Sequence, residues 1–272
     1  MISITTIQDK ARLMRQDIVK MAYEGKTSHV GSALSCTDIL AVLYLHVMNI
    51  TISNWQTVAA DRFILSKGHG VKAWYAALHQ ANFIDERYLT TYAKDGSHLG
   101  EHPSPGSLPG ILVGSGSLGH GISIAAGMAM AKKMDHHAGR MYVLMSDGEC
   151  NEGSVWEAAM AIVHQKLDNV TVIIDDNGWQ AMGRSRQVSG LDPLASKWES
   201  FGWKVYEADG HDAVSLMTVL DTAKRSTGKP NVVIAKTCLG KGVSFMEDDL
   251  LWHYQIPSHE QMTIALKELG AS

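Results

Sequence analysis

The residues from Met145 to Gly183, MSDGECNEGSVWEAAMAIVHQKLDNVTVIIDDNGWQAMG, hold two groups whose types and spacing suit a divalent cation. Asp147 follows a strand-like apolar run, and Asn177 follows a second such run thirty positions later. A helical pattern between them returns the chain to the same sheet edge, bringing a carboxylate and an amide oxygen to neighbouring strand ends. Mg²⁺ takes a near-octahedral shell of oxygens, usually one or two protein groups with phosphate oxygens and water. A carboxylate, an amide and a nearby backbone carbonyl meet that demand, with Ca²⁺ or Mn²⁺ as substitutes. Gly148 lets the backbone approach a phosphate closely, and the helix that follows offers free N–H groups. Asp-Gly and Asn-Gly also end many strands as plain turns. It is the full spaced unit, with Glu152 and Glu157 inside it, that points to a ligand site.

The elements that must position these groups are readable from apolar periodicity. Tyr142 to Met145 and Val170 to Ile174 are continuous apolar runs, expected of strands buried on both faces of a parallel sheet. Arg62 to Ser66, Val205-Tyr206 and Val232 to Ala235 add weaker strands. Helices are expected over Ile7 to Ala22, Asp38 to Met48, Trp74 to Gln80, from Leu118 through GHGISIAAGMAMAKKM, over Ala213 to Arg225, and over Ser258 to Leu269. Gly25 to Ser35 and the proline-bearing stretch Gly96 to Gly116 read as loops. Strands alternating with helices imply an α/β fold, a doubly wound, mostly parallel sheet flanked by helices. With no repeat, low-complexity tract or long linker, residues 1–272 read as one domain.

Composition narrows the class. A chain of 272 residues can bury a large core, and its net charge of −4 carries no basic block of the kind a nucleic-acid surface needs. Cys36, Cys150 and Cys238 are odd in number and widely spaced, which fits neither a disulfide framework nor a zinc site and suggests a reducing cytoplasm. The start MISITTIQDKARLMRQ has no apolar signal core, and no apolar run reaches the ~18 residues of a membrane helix. The expectation is a soluble, cytoplasmic protein. The seven Trp residues read as core and interface packing.

Asp147-Gly148-Glu149, then Asn151-Glu152-Gly153-Ser154-Val155-Trp156-Glu157-Ala158, then Asp175-Asp176-Asn177 are similar, in order and spacing, to the thiamine diphosphate motif of the transketolase family, specifically its amino-terminal, diphosphate-binding half. The resemblance extends over nearly the whole chain. It implies thiamine diphosphate and Mg²⁺ as cofactors, with Asp147, Asn177 and the main-chain carbonyl of Trp179 as metal ligands and Gly148 donating its N–H to the diphosphate. His29 (Thr-Ser-His-Val-Gly), His69 (Ser-Lys-Gly-His-Gly), His102 (Gly-Glu-His-Pro) and His253 (Trp-His-Tyr) stand where the family has active-site histidines. By that resemblance His69 and His253 face the diphosphate, while His29, His102 and His253 line the donor-sugar channel and move protons. An imidazole is suited to that work near neutral pH. Gly114 to Gly121 is similar to the family's Thr-Gly-Pro-Leu-Gly-Gln-Gly, which places Gly116 and Leu118 against the aminopyrimidine. Glu152 and Glu157 are implied to link paired active sites or the subunit interface. The segment from Lys236 to Glu247 is similar to one in short bacterial and archaeal subunits, where Lys241 could approach a phosphate. His120 inherits no role. Departures stand at Ser28, Val30, Ser117, Ser146, Ala181 and Tyr254.

Full-length transketolases continue into a pyrimidine-binding domain and a carboxy-terminal domain, which hold the glutamate that activates the cofactor and the arginines that grip sugar phosphates. This chain stops at Ser272. The resemblance therefore implies the amino-terminal subunit of a split transketolase, working with a carboxy-terminal partner subunit in an α2β2 heterotetramer. It would transfer a two-carbon ketol unit from a ketose phosphate to an aldose phosphate. Two alternatives stay open: a deoxyxylulose phosphate synthase-like enzyme, and a non-catalytic, thiamine diphosphate-binding regulatory subunit. The identity of the sugars is not written in these residues.

Overall fold

The five strands β1 (Arg62–Leu65), β2 (Met141–Ser146), β3 (Val170–Asp176), β6 (Lys204–Asp209) and β7 (Asn231–Lys236) lie in the order β1-β2-β3-β7-β6, every neighbour parallel. This is a computed structural model, and it describes residues 2–271. Between β3 and β6 a two-residue hairpin, β4 (Trp179–Gln180) and β5 (Gly183–Arg184), pairs antiparallel and stands apart from the sheet. The helices are α1 (Ile4–Glu24), α2 (Val30–Ser35), α3 (Thr37–Val42), α4 (Val71–Gln80), α5 (Glu86–Leu89), α6 (His120–Met134) and α7 (Gly153–His164), then α8 (Ser185–Val188), α9 (Leu194–Ser200), α10 (Ala213–Arg225), α11 (Leu251–Tyr254) and α12 (His259–Glu268).

Side chains alternate across a strand, and the central strands are apolar on both faces. Tyr142, Leu144, Ile173, Val233 and Ala235 pack into one core with α1, α3, α4, α10 and α12. Met141, Val143, Met145, Val172, Ile174, Val232 and Ile234 pack into a second with α6, α7 and α9. The α/β, doubly wound, parallel reading of the sequence holds. Trp74, Trp198, Trp203 and Trp252 are buried in these cores.

Several boundaries differ from the sequence reading. The stretch expected as a loop from Gly25 to Ser35 ends in helix α2, whose small residues are fully buried. The helix expected over Asp38 to Met48 is instead α3 followed by a π-helical turn, Leu43–Val47. Gly148–Asn151 is a 3₁₀ turn, and the helix after it starts only at Gly153. Burial overrode local composition at α2: Gly31 lies so close to Leu239 that a Cβ there would stand 3.0 Å from its Cγ.

The chain leaves β1 for α4 on one face and β2 for α7 on the other. A crevice opens where such connections diverge, at the carboxyl ends of the strands. In register, Ser146 of β2 pairs with Asp175 of β3, so Asp147 and Asn177 leave the sheet side by side.

Candidate active site

A cleft of about 330 Å³ opens at that sheet edge. His29, His69, His102 and His253 line it together with Gly116, Leu118, Gly148, Glu152, Asn177 and Trp179. Residues from six separate segments of the chain, predicted as site residues from sequence, thus meet in one cavity. Asp147 lies behind it, lining a small adjoining cavity with Asp176 and Ser185. Glu157 does not join them; it stands exposed on α7. Lys241 is also outside the cleft, its ammonium 3.3 Å from Glu247. His120 is exposed at the start of α6.

One end of the cleft is built around Asp175, a residue the sequence motif contains but to which it gave no role. Its carboxylate is fully buried and accepts from Ser35 Oγ (2.6 Å), Asn177 Nδ2 (3.3 Å), Lys67 Nζ and Thr237 Oγ1. Burial opposes the Lys67 charge, yet Asp175 beside it holds the ammonium above its usual range. Asn177 Nδ2 also donates to Ser35 Oγ at 3.3 Å, while its Oδ1 accepts the Trp179 N–H at 3.0 Å. The amide is therefore pinned on its nitrogen side, as an outer-shell partner pins a metal ligand.

Asp147 presents the opposite condition. Its side chain is buried, and Oδ1 has no hydrogen-bond partner. Burial pushes its carboxyl up to about 7, with repulsion from Asp176 and Asp175 adding to the effect. A buried oxygen left without a partner costs stability unless something else fills that role. No group of three or more His, Cys, Asp or Glu side chains is arranged to hold a metal among the described residues. A cation here must therefore draw on amide and carbonyl oxygens and on a ligand's own. Asp147 Oδ1, the Asn177 amide and the Trp179 backbone fit a hard divalent ion of that kind. Gly148 adjoins them, and a Cβ on it would stand 2.6 Å from Gln180 Cγ. Gln180, absent from the sequence-based site, lines the cleft with a buried Nε2 that has no partner.

At the other end the histidines pack on one another. Ring centroids are 4.8 Å apart for His29 and His253, 5.3 Å for His29 and His69, and 5.6 Å for His69 and His253. Hydrogen bonds to these rings are few: Ser32 Oγ lies 3.3 Å from His253 Nδ1, and His29 Nδ1 is buried with none. Burial and the charges of His253 and Lys72 lower His29 to about 3. Burial and Lys67 lower His253 to about 4, and burial also lowers His69 and His102. The shift favours the neutral imidazole at each of the four. His29 caps α2 in the left-handed region at φ +63°, a conformation that costs a non-glycine residue about 1–2 kcal/mol. Its N–H donates to the His253 carbonyl at 3.0 Å, which ties the two histidine loops together.

The glycine-rich turn before α6 is held from beneath. Buried Glu149 accepts from Gly119 N–H at 2.8 Å and from Ser66 Oγ. Gly116 packs against His102, where a Cβ would lie 3.2 Å from the ring Cδ2. Two of the departures from the family pattern touch: the Tyr254 hydroxyl donates to the Ala181 carbonyl.

Comparison with known proteins identifies the family. The family described as "Transketolase, thiamine diphosphate binding domain" matches residues 4–254. An apulose-4-phosphate transketolase subunit of Phocaeicola vulgatus is 39% identical over 98% of this chain and 95% of its own length. A 6-deoxy-6-sulfo-D-fructose transketolase subunit of a Clostridium species is 37% identical over 97% of this chain and 96% of its own. The transketolase structure from Campylobacter jejuni superposes with a TM-score of 0.92 at 28% identity, covering 99% of this chain and 43% of that one. The chain thus spans less than half the length of that solved transketolase. With matching fold and family pattern, the chain belongs to the transketolase family, as its thiamine diphosphate-binding domain.

Proposed function

We propose that residues 1–272 act as a single thiamine diphosphate-binding domain, the amino-terminal subunit of a cytoplasmic transketolase completed by a carboxy-terminal partner subunit in an α2β2 assembly. The observation that carries this reading is the cleft itself. One end gathers a pinned amide and a close-approach glycine, with an unpartnered carboxylate oxygen just behind them; the other gathers four imidazoles, His29, His69 and His253 half-buried and His102 exposed. The two relatives named above as subunits match along nearly their full lengths, which supports the split arrangement. No helix among the described residues is long and apolar enough to cross a membrane.

Asp147, Asn177 and the Trp179 carbonyl would hold Mg²⁺, and Gly148 N–H, His69 and His253 would face the diphosphate. Gly116 and Leu118 would border the aminopyrimidine. When bound, thiamine diphosphate supplies an electron sink for the two-carbon fragment. The chain's own part is to orient and to move protons. His29, His102 and His253, each favoured in the neutral form, would accept protons from sugar hydroxyls and return them. Glu152 at the cleft margin and Glu157 on the exposed face of α7 would meet a neighbouring subunit. The substrates would be a ketose phosphate donor and an aldose phosphate acceptor. A regulatory subunit would have no use for the imidazole cluster, and the two subunit relatives favour transketolase over a deoxyxylulose phosphate synthase.

The test is reconstitution. The purified chain alone should transfer no two-carbon unit between sugar phosphates, and adding the subunit that co-purifies with it should restore transfer. Full turnover by the chain alone would contradict the split arrangement.

A further inference from the structure

Lys67 and Lys72 are both buried, five positions apart, and only one has a counter-ion. Lys67 is paired with Asp175. Lys72 is 1% exposed and has no carboxylate within 4.0 Å among the described residues. An ammonium is seldom buried without such a partner. Its Nζ donates to the Ser28 carbonyl at 2.6 Å and lies 5.3 Å from the centroid of the Tyr92 ring. Ser28 immediately precedes His29, whose left-handed backbone and unpartnered Nδ1 place it at the centre of the histidine cluster.

We infer that Lys72 is a positioning residue for His29: its buried ammonium clamps the Ser28 carbonyl and thereby sets where the His29 ring stands in the cleft. The clamp also carries charge. The titratable groups facing it are His29 from the α1–α2 turn, Glu101 and His102 from the loop before α6, and Tyr92 after α5. His253 and His69 face His29 in turn. Glu101 is exposed and leaves the ammonium unneutralised, so burial lowers Lys72 to about 7. Burial is the largest cause of the displacement of His29, and His253, Lys72 and His102 add to it. A cation behind His29 keeps that ring a proton acceptor rather than a second cation. The proton-moving role of His29 rests on the function proposed above; the clamp does not.

The experiment uses the free chain without cofactor, labelled with ¹⁵N-histidine and ¹³C-lysine, titrated by NMR. In the wild type, Lys72 should titrate well below the other lysines, and the His29 ring nitrogens should show a step at the same midpoint. In Lys72→Met the step should vanish, and the His29 midpoint should rise by about 0.5 unit or more. Lys72→Arg should lose the step and keep the low midpoint. A wild-type His29 with no step at the Lys72 midpoint overturns the inference without any variant having to fold. A folded Lys72→Met with an unchanged His29 midpoint overturns it too. Either failure leaves cofactor binding, and so the proposed function, to be judged separately.

Discussion

The two ends of the cleft solve the problem of buried polarity in opposite ways. Around Asp175 every charge has a partner: Lys67, Ser35, Asn177 and Thr237 converge on one carboxylate. Around His29 stand four imidazoles with few hydrogen bonds to them, three half-buried and His102 exposed, and desolvation lowers each below the ordinary imidazole range. The Asp175 hub is a finished electrostatic scaffold that holds Asn177 in place beside the unpartnered Asp147. The histidine end is left unfinished, and the buried His29 Nδ1 has no partner within the chain among the described residues. The difference teaches that burial alone does not assign a role; what matters is whether the buried group has been given a partner.

Breaking the finished end should have the largest effect. Lys67→Met leaves Asp175 buried without its cation, and removing one partner of such a pair costs about 3–5 kcal/mol. Denaturant unfolding should show that loss, whereas a change under about 1 kcal/mol would mean that the Asp175 hub does not organise this end.

The pH dependence of stability sharpens the contrast next. The histidines have folded-state values near 3 and 4 for His29 and His253, below the ordinary 6.5. The unfolded chain therefore binds protons first, and stability falls as pH drops from about 6.5 toward 4. Asp147 has the reverse sign. Its folded value is raised from 3.8 to about 7, so its contribution is full below 3.8 and is lost as pH rises through 7 in the cation-free chain. His253→Asn should flatten the acid limb of a stability–pH curve, and Asp147→Asn should flatten the neutral limb. Saturating Mg²⁺ with thiamine diphosphate should do to the neutral limb what Asp147→Asn does. Identical curves for wild type and both variants would remove the distinction.

A smaller effect on folding is expected at Gly148. A Cβ there meets the flexible Gln180 side chain, so Gly148→Ala should fold with near-native stability. It should nevertheless weaken cofactor binding in calorimetry, because Gln180 must move into the cleft. The smallest effect belongs to the exposed Arg184–Asp248 pair, which ties the β4–β5 hairpin to the chain before α11. Both side chains face solvent, so Asp248→Asn should cost no more than about 1 kcal/mol in thermal unfolding.

The sheet was legible because β2 and β3 are apolar on both faces, a pattern few other structures produce. Asp147 and Asn177 were legible because a strand end fixes where a residue leaves the sheet. The histidines could be gathered only through family resemblance, since nothing in their spacing brings residues 29, 69, 102 and 253 together. Helix α2 was missed because Gly31, Ser32 and Ser35 carry the composition of a loop, while their burial is decided by Leu239 and Asp175 from distant parts of the chain. Lys72 and Gln180 were missed for the same reason. A lysine within an apolar helical run, VKAWYAAL, was the available signal for Lys72, since such a run leaves a charged side chain little room to reach water.

The central claim is that Asp147 completes its bonding by holding a cation with the cofactor diphosphate. Isothermal titration of thiamine diphosphate into the chain and its co-purifying subunit, with and without Mg²⁺, tests it most directly. The account predicts saturable binding that requires the cation and weakens by more than about tenfold in Asp147→Ala. Equal affinity without the cation, or in the variant, would contradict it.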